Sequence, residues 1–262
     1  GLFKGAVLIS STAISPPVDN QVQPRASEKA KALASAVGCP TSSSDIMINC
    51  LREKPVEDLV SNTKTPPFGL AFPTVVDGDI VTDKPAELLK AGRINDVDII
   101  VGLAKDEDAA SAFAFTMFDC PSVQEVQQYI QQVSSLSFNN PGKASLALVT
   151  EYLGKGGLDD DCKTRGSFRQ FMNDYLSYWS TLEAARIHAD AGHSVFFYSF
   201  DHKPPAHYIG PLPPQAGPAL SDDLQFLFGD PYSPLVDDLE LAYRLQDKQF
   251  TLELMAFLKN FI

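Results

Sequence analysis

Few residues of this sequence could combine into acid, base and nucleophile chemistry. An acidic run, Lys105-Asp106-Glu107-Asp108, follows the apolar segment Val97–Gly102. Carboxylates at the carboxyl end of a buried strand lie where α/β folds place reactive groups. A serine nucleophile would also need a histidine base oriented by such an acid. The base of a Ser-His-acid site must therefore come from the four histidines of the chain.

The sequence does not supply a convincing nucleophile. A nucleophilic serine in an α/β fold lies in a Gly-x-Ser-x-Gly turn that follows a strand. The nearest match is Gly192-His193-Ser194-Val195-Phe196, which lacks the final glycine and precedes an apolar segment. We therefore interpret Ser194 as a loop residue.

The elements around these residues predict an α/β protein. Gly5–Ile9, Val97–Gly102 and Val195–Phe200 are apolar runs with little alternation, typical of strands buried on both faces of a parallel sheet. Helical spacing of apolar residues marks most of the remaining chain. We predict helices over 27–37, 85–91, from Ser122 onward, 168–191, 235–245 and 250–261, and a strand over 72–79 that closes on a turn.

The predicted helix over 168–191 carries an unusual aromatic stripe. Its apolar side chains recur on one helical face. Packing in the core is the simpler interpretation, and a surface for a protein partner is the alternative. The stripe consists of Phe168, Phe171, Met172, Tyr175, Trp179 and Leu182.

The segment from Pro211 to Pro231 resembles the carboxylesterase/cholinesterase (type B) family of α/β-hydrolases. Asp222-Asp223-Leu224-Gln225-Phe226-Leu227-Phe228-Gly229-Asp230-Pro231 is similar to the end of the family pattern His-Ala-Asp-Asp-Ile-Gln-Tyr-Val-Phe-Gly-x-Pro. Counted back without gaps, the catalytic histidine of that pattern falls on Leu220. A leucine side chain cannot accept a proton, so it cannot activate a serine.

Other segments extend the resemblance over the whole chain. Gly1-Leu2-Phe3-Lys4 is similar to the Gly-Leu-Phe lead-in of the family, and Phe72–Asp79 to its Pro-Val-Val-Asp-Gly-Asp motif. The resemblance implies an α/β-hydrolase fold, with residues 1–262 forming the C-terminal portion of a single domain. The sheet is expected to be mostly parallel, with helices on both faces. The nucleophile elbow of the family would lie in an N-terminal half upstream of Gly1.

The resemblance also assigns a relict or actual acid. The acidic run matches a Lys-Asp-Glu-Gly pattern in which the glutamate is the triad acid, so Glu107 takes that position and Asp108 replaces the glycine. Without a histidine at Leu220, we expect Glu107 in a solvated or salt-bridged loop, and the leucine side chain filling the pocket of the imidazole. His207 is the histidine nearest to Leu220 in sequence and the one candidate for a displaced base.

The cysteines indicate a disulfide-bonded protein. Cys39 and Cys50 flank a short Pro/Ser-rich segment, a spacing suited to a local disulfide bond. Cys120 and Cys162 remain as a second pair or as buried free thiols. The first pair resembles a Gly-Cys-Pro…Cys-Leu-Arg element of cholinesterase-like domains, most of all those of the thyroglobulin type. An even cysteine count favours an oxidising, secretory compartment.

Composition restricts the partners. A formal charge of −12 disfavours nucleic acids and anionic membranes, which bind basic surfaces. No apolar run is long enough to span a membrane. No metal cluster or cofactor motif occurs, so we expect neither a metal nor a cofactor. The expected partners are another protein or a second copy of the chain, together with the N-terminal half of the same domain.

Three functions follow from these observations. The first is a catalytically inactive cholinesterase-like module, of the thyroglobulin or neuroligin type, that acts in dimerisation, adhesion or secretory transport. The second is a serine carboxylic-ester hydrolase whose base is His207. The third is a small-molecule carrier with a closed apolar pocket near Phe113, Phe115 and Phe226.

Overall fold

The chain forms two compact units. Its structure, a computed structural model, describes residues 2–15, 23–63, 75–108, 121–154, 161–212, 216–233 and 243–261. One unit contains residues 1–12 and 94–262, and the other contains residues 13–93. All positions of the predicted acid-base site fall in the first unit.

The first unit is built on a three-stranded parallel sheet. Its strands are β1 (Gly5–Ile9), β2 (Asp98–Ala104) and β3 (Val195–Phe200), in the order β1-β2-β3. β2 is buried from its second residue to its end because it lies between the two other strands. The three strands and the parallel sheet predicted from the apolar runs are confirmed. Burial on both faces is wrong for β3, where the successive residues Phe196 and Phe197 are exposed.

Helices account for most of the remaining described chain. In chain order they are α1 (Gln23–Ala36), α2 (Ser44–Arg52), α3 (Val56–Asn62), α4 (Pro85–Lys90), α5 (Val123–Ser137), α6 (Pro141–Leu153), α7 (Asp161–Asn173), α8 (Trp179–Asp190), α9 (Asp222–Leu227) and α10 (Leu245–Phe261). None of the helices within the described ranges has the length and apolar character needed to cross a membrane.

Helices cover both faces of the sheet. On one face, Ile99 and Val101 of β2 pack against Ala185 of α8. On the other face, Ala104 and Phe200 pack against Phe226 of α9 and the half-buried Phe250 of α10. Successive strand residues point to opposite faces, so a strand that is apolar throughout requires this double cover.

A π-helical turn interrupts the long aromatic helix. α7 ends at Asn173, Asp174–Tyr178 forms the π-helical turn, and α8 begins at Trp179. A π-turn inserts one extra residue per turn and rotates everything after it about the helix axis. The predicted single stripe is therefore wrong. Its first part, which includes Phe171, is buried, whereas Trp179 is 59% exposed.

The second unit is a small helical assembly with a disulfide bond. α1 to α4 lie in this unit, and Cys39 and Cys50 form the disulfide bond that the sequence predicts. Ala34, Cys39 and Met47 are the buried residues of its core cluster. The second predicted pair cannot be placed, because Cys120 and the side chain of Cys162 lie outside the described part of the chain.

The predicted strand over 72–79 is not a strand where the structure describes it. Residues 72–74 lie outside the described ranges. From Val75 onward the chain makes a turn in which Asp77 Oδ1 accepts hydrogen bonds from the backbone N–H groups of Asp79, Ile80 and Val81. An aspartate that captures three successive amides removes them from any strand ladder.

Two other predicted helices have different outcomes. The helix predicted from Ser122 onward is α5, and it begins with a capping box: Ser122 Oγ accepts from Glu125 N at 3.3 Å, and Glu125 Oε2 accepts from Ser122 N at 2.8 Å. The predicted helix over 235–245 falls mostly on residues that the structure does not describe, and α10 begins at Leu245.

Candidate functional site

The site lies at the carboxyl edge of the sheet, where two loops meet. One loop follows β2 and carries Glu107, and the other precedes α9 and carries Leu220. Asp106 N donates to Pro218 O at 2.9 Å, and Leu220 N donates to Glu107 O at 3.1 Å. Gly217 N donates to Asp106 Oδ2 at 2.6 Å. Residues far apart in sequence are thus joined through their backbones.

Glu107 is buried, with 2% of its surface exposed. Its Oε2 accepts a hydrogen bond from Ala104 N at 2.6 Å, whereas Oε1 is buried and has no hydrogen-bond partner among the described residues. The Ser10 hydroxyl lies beside this carboxyl group without the geometry of a hydrogen bond. Our expectation of a solvated or salt-bridged loop is therefore wrong.

Burial sets the protonation state of Glu107. Removal from water disfavours the charged form of a carboxyl group. Burial raises the pKa of Glu107 to about 8, even though the hydrogen bond from the Ala104 amide opposes the shift. The raised pKa favours the neutral form of Glu107, whereas the acid of a working triad is ionised and accepts a hydrogen bond from its histidine.

Leu220, to which the resemblance assigns the position of the histidine, is joined to Glu107 by the backbone hydrogen bond described above. Its side chain is 40% exposed. A side chain with that exposure does not fill a closed pocket. Our expectation that Leu220 fills the pocket of the imidazole is therefore wrong for the described part of the chain. The next residue, Ser221, has φ 66°, and Ser10 at the end of β1 has φ 68°. Non-glycine residues in this left-handed region are strained and concentrate at functional sites.

A second acid, the half-buried Asp108, follows Glu107 in the chain. Asp108 Oδ2 accepts a hydrogen bond from Ser177 Oγ at 2.7 Å, and Asp108 N donates to Asn173 Oδ1 at 3.0 Å. Burial raises the pKa of Asp108 to about 7, against the effect of the Ser177 hydroxyl. Ser177 belongs to the π-helical turn, so that turn places a hydroxyl on the acid. This contact could not be predicted from the sequence.

A third acid, Asp223, is buried and is hydrogen-bonded to a tyrosine of β3. Tyr198 OH donates to Asp223 Oδ2 at 2.6 Å. The tyrosine ring passes directly over Gly102, where a Cβ atom would overlap it. Burial raises the pKa of Asp223, and burial and this neighbour raise the pKa of Tyr198 far above its ordinary value. The tyrosine is therefore a neutral donor at every physiological pH.

His207 does not approach Glu107 through any hydrogen bond of the described residues, but it has an acid of its own. Its Nδ1 lies 2.7 Å from Asp222 Oδ2, and Asp222 is fully buried. Asp222 also accepts hydrogen bonds from Tyr208 N at 2.8 Å and from Ala219 N at 2.7 Å. Asp222 was visible in the sequence only as part of the matched motif, and its partner was not predicted.

The other predicted features of the site are not supported by the geometry. Phe226, proposed as a lining residue of a carrier pocket, is fully buried in the core beside Phe200 and Phe250. Phe113 and Phe115 lie outside the described residues. Across the described ranges, no group of three or more His, Cys, Asp or Glu side chains is arranged to hold a metal ion.

Comparison with known proteins extends over the whole chain. The model of the carboxylesterase family matches residues 1–262. The chain is 31% identical over 238 residues to the precursor of the medium-chain fatty acyl-CoA hydrolase of Anas platyrhynchos, a match that covers 88% of this chain and 41% of that protein. It is 29% identical over 276 residues to neuroligin-2 of Homo sapiens, covering 100% of this chain and 31% of that protein.

A third relative is an acetylcholinesterase. The chain is 26% identical over 213 residues to the enzyme of Myxine glutinosa, covering 77% of this chain and 62% of that protein. The chain thus spans between about a third and three fifths of the length of these relatives. The relatives include proteins named as hydrolases and one that is not.

Proposed function

Because the chain belongs to the carboxylesterase family and has its α/β-hydrolase fold, we propose that it is a catalytically inactive cholinesterase-like module. It acts through protein contacts, in dimerisation, adhesion or secretory transport. The observation that carries this proposal is Leu220. Its backbone is hydrogen-bonded to Glu107. The family pattern, counted back from Pro231 without gaps, puts its histidine on this residue, and leucine has no group that can take a proton from a serine.

The state of Glu107 supports the same conclusion. In a working triad the acid is ionised and accepts a hydrogen bond from the histidine. Here Oε1 of Glu107 has no partner within the described residues, and burial raises its pKa to about 8. The strained backbone at Ser10 and Ser221 persists around this acid. The loops thus keep a strained geometry around Glu107, whereas no histidine is hydrogen-bonded to this acid among the described residues.

Exposed apolar side chains support a role in protein contacts. Trp179 and Leu182 of α8 are 59% and 45% exposed, because the π-helical turn rotates them away from the core. Tryptophan is among the residues that contribute most to binding energy in protein interfaces. The disulfide bond between Cys39 and Cys50 supports a secretory compartment, where such bonds persist.

The contact surface can be tested in the full-length protein. We expect W179A combined with L182A to weaken self-association or partner binding in sedimentation velocity, because the two apolar side chains leave the surface. The matched control is E183A, which changes an ion-paired residue of the same helix. Equal association of both variants and the wild type would exclude α8 as the contact surface.

The catalytic half of the proposal has its own test. We expect the full-length protein not to react with a fluorophosphonate probe, because no base activates a serine for attack on phosphorus. A carboxylesterase with an intact triad serves as the positive control. Stoichiometric labelling of the full-length protein would contradict the proposal.

One observation favours the second function, a serine carboxylic-ester hydrolase. His207 is oriented by the buried Asp222 at 2.7 Å, which is the arrangement of a base with its acid. In that case the acid of the triad would be Asp222 and not Glu107. Loss of fluorophosphonate labelling in H207A, with labelling retained in E107Q, would identify this alternative.

A further inference from the structure

We propose that the loop Lys203–Leu212, named here the proline loop, forms a binding pocket for a small phenol, with His207 as the group that recognises the hydroxyl. The pocket has a volume of about 460 Å³ and is lined by Lys203, Pro204, Pro205, Ala206, His207, Gly210, Pro211 and Leu212. Pockets for small ligands commonly have volumes of a few hundred Å³. The inference goes beyond the proposed function, since binding a phenol requires no serine.

The proline loop is fixed at its start by one histidine-aspartate pair. His202, the residue before the loop, places Nε2 at 2.7 Å from Asp247 Oδ1, and Asp247 is fully buried. The imidazole ring also stacks on Phe250, with ring centroids 4.5 Å apart. Arg244 donates to the same carboxylate through its backbone N–H and its guanidinium group. This end of the loop is held in place without any ligand.

A second pair fixes the middle of the loop. The His207 ring and the Tyr208 N–H group both bind Asp222. Gln225 Nε2 donates to Ala206 O at 3.2 Å, and Tyr243 OH donates to Gln225 Oε1 at 2.6 Å. A loop fixed at several positions loses little conformational freedom when a ligand binds. The pocket is therefore preorganised.

These contacts also determine which nitrogen of His207 can meet a ligand. The other hydrogen bonds to Asp222 come from N–H donors of Tyr208, Ala219 and Gln225, so its carboxyl group acts as an acceptor. In the neutral form of the imidazole the proton therefore lies on Nδ1, and Nε2 carries the lone pair. His207 is one of the residues that line the pocket. It therefore offers the pocket a hydrogen-bond acceptor that a buried carboxylate keeps oriented.

The wall of the pocket determines the rest of the ligand. Three prolines, Ala206 and Leu212 provide apolar, rigid surface. Proline-rich segments pack well against aromatic rings. A ligand that places a ring against this wall and donates one hydrogen bond to Nε2 satisfies both features. A phenol has an acidic hydroxyl donor directly on such a ring.

The test uses the full-length protein and fluorine NMR. We expect 4-fluorophenol to bind saturably, roughly in the millimolar range or tighter for so small a ligand. We expect 4-fluoroanisole, which has the same ring but no hydroxyl donor, to bind about tenfold more weakly because Nε2 is left without its donor. Equal affinity for the two compounds, or no saturable binding of the phenol, would overturn the proposal.

Two variants locate the site. H207F keeps a ring and removes Nε2, and P211W places a bulky side chain in the pocket while leaving the His207–Asp222 pair intact. We expect both to lose binding of 4-fluorophenol, whereas H188F, altered at the far end of α8, binds like the wild type. If H207F does not fold, P211W alone decides. Wild-type affinity in P211W, or in a folded H207F variant, would refute the assignment.

Discussion

The backbone N–H of Leu220 donates to the carbonyl oxygen of Glu107 at 3.1 Å. This hydrogen bond joins the two residues that the resemblance assigns to the histidine and the acid of the family. No proton can pass between their side chains, because Leu220 is apolar and Oε1 of Glu107 has no hydrogen-bond partner among the described residues. The loops of the site can therefore keep their backbone contacts although their side chains do not form a catalytic triad.

The stability of the protein should fall as the pH rises from about 5 to 8. The folded-state pKa is about 8 for Glu107 and about 7 for Asp108, above the ordinary values of 4.5 and 3.8. Between its ordinary and its folded-state pKa, each group is ionised in the unfolded chain and protonated in the folded protein. Unfolding therefore becomes easier by about 1.4 kcal/mol per pH unit for each group, up to about pH 7 for Asp108 and about pH 8 for Glu107. Urea denaturation at several pH values measures the slope. E107Q should reduce it, and the surface control E253Q should not.

Introducing a histidine opposite Glu107 should change this dependence. In L220H, an imidazole N–H can donate to Glu107 Oε1 and favour the ionised carboxylate. The variant should therefore lose less stability between pH 5.5 and 8 than L220F, the control that has a ring but no donor. The free energy of unfolding at the two pH values measures the difference. Identical slopes in L220H and L220F would show that the acid does not reach the position of Leu220.

Asp222 should be important for stability whether or not the protein is an enzyme. D222A removes the acceptor of His207, Tyr208 N and Ala219 N in a fully buried place. We expect a loss of about 3 kcal/mol or more in the free energy of unfolding, because buried donors remain unsatisfied. The control is D201A, which removes an exposed partner of Lys105. A change as small as that of D201A would contradict the packing described for Asp222.

The rotation introduced by the π-helical turn predicts opposite results for two aromatic residues. Phe171 is fully buried and packs on Tyr129 and Tyr152, whereas Trp179 is 59% exposed. F171A should therefore lose about 3–5 kcal/mol of stability through the cavity it creates. W179A should change stability little. Thermal or urea denaturation of the two variants distinguishes this arrangement from a continuous stripe, for which both losses would be large.

The disulfide bond should stabilise the second unit. Cys39 and Cys50 are 11 residues apart, and closing a loop of that length contributes about 3 kcal/mol in the chain-entropy model. The double variant C39S/C50S should make residues 13–93 susceptible to limited proteolysis while leaving the sheet protected. Cleavage that begins in the sheet unit would instead indicate that the bond stabilises the whole chain.

The sequence alone predicted the sheet because its strands are apolar on both faces, a pattern that few other elements have. It also located Glu107, Leu220 and His207, since a motif fixes positions along the chain. It could not predict the burial of Glu107 or the acid of His207, because both depend on loops that meet only in the folded chain. The turn that closes the predicted strand over 72–79 is present, with Gly78 at φ 80°. The strand itself was wrong where the chain is described, because the Asp77 side chain binds backbone N–H groups of the turn.

The π-helical turn was also beyond sequence analysis. Its effect depends on one inserted residue, and the helical spacing of apolar residues predicts a continuous α-helix across it. The helical spacing of Phe168, Phe171 and Met172 is consistent with their burial. The same spacing continued to Trp179 predicts that this residue shares the buried face, whereas it is exposed. The Ser177–Asp108 hydrogen bond arises from the same turn and was equally hidden.

Turnover of an aryl ester by the full-length protein tests the central claim most directly. We predict that 4-nitrophenyl acetate is hydrolysed by the wild type at pH 7.5 no faster than in buffer, and no faster than by H207A, since Leu220 provides no base. Saturable hydrolysis by the wild type that is lost in H207A would contradict the proposal. It would establish the His207–Asp222 pair as the base and acid of an active esterase.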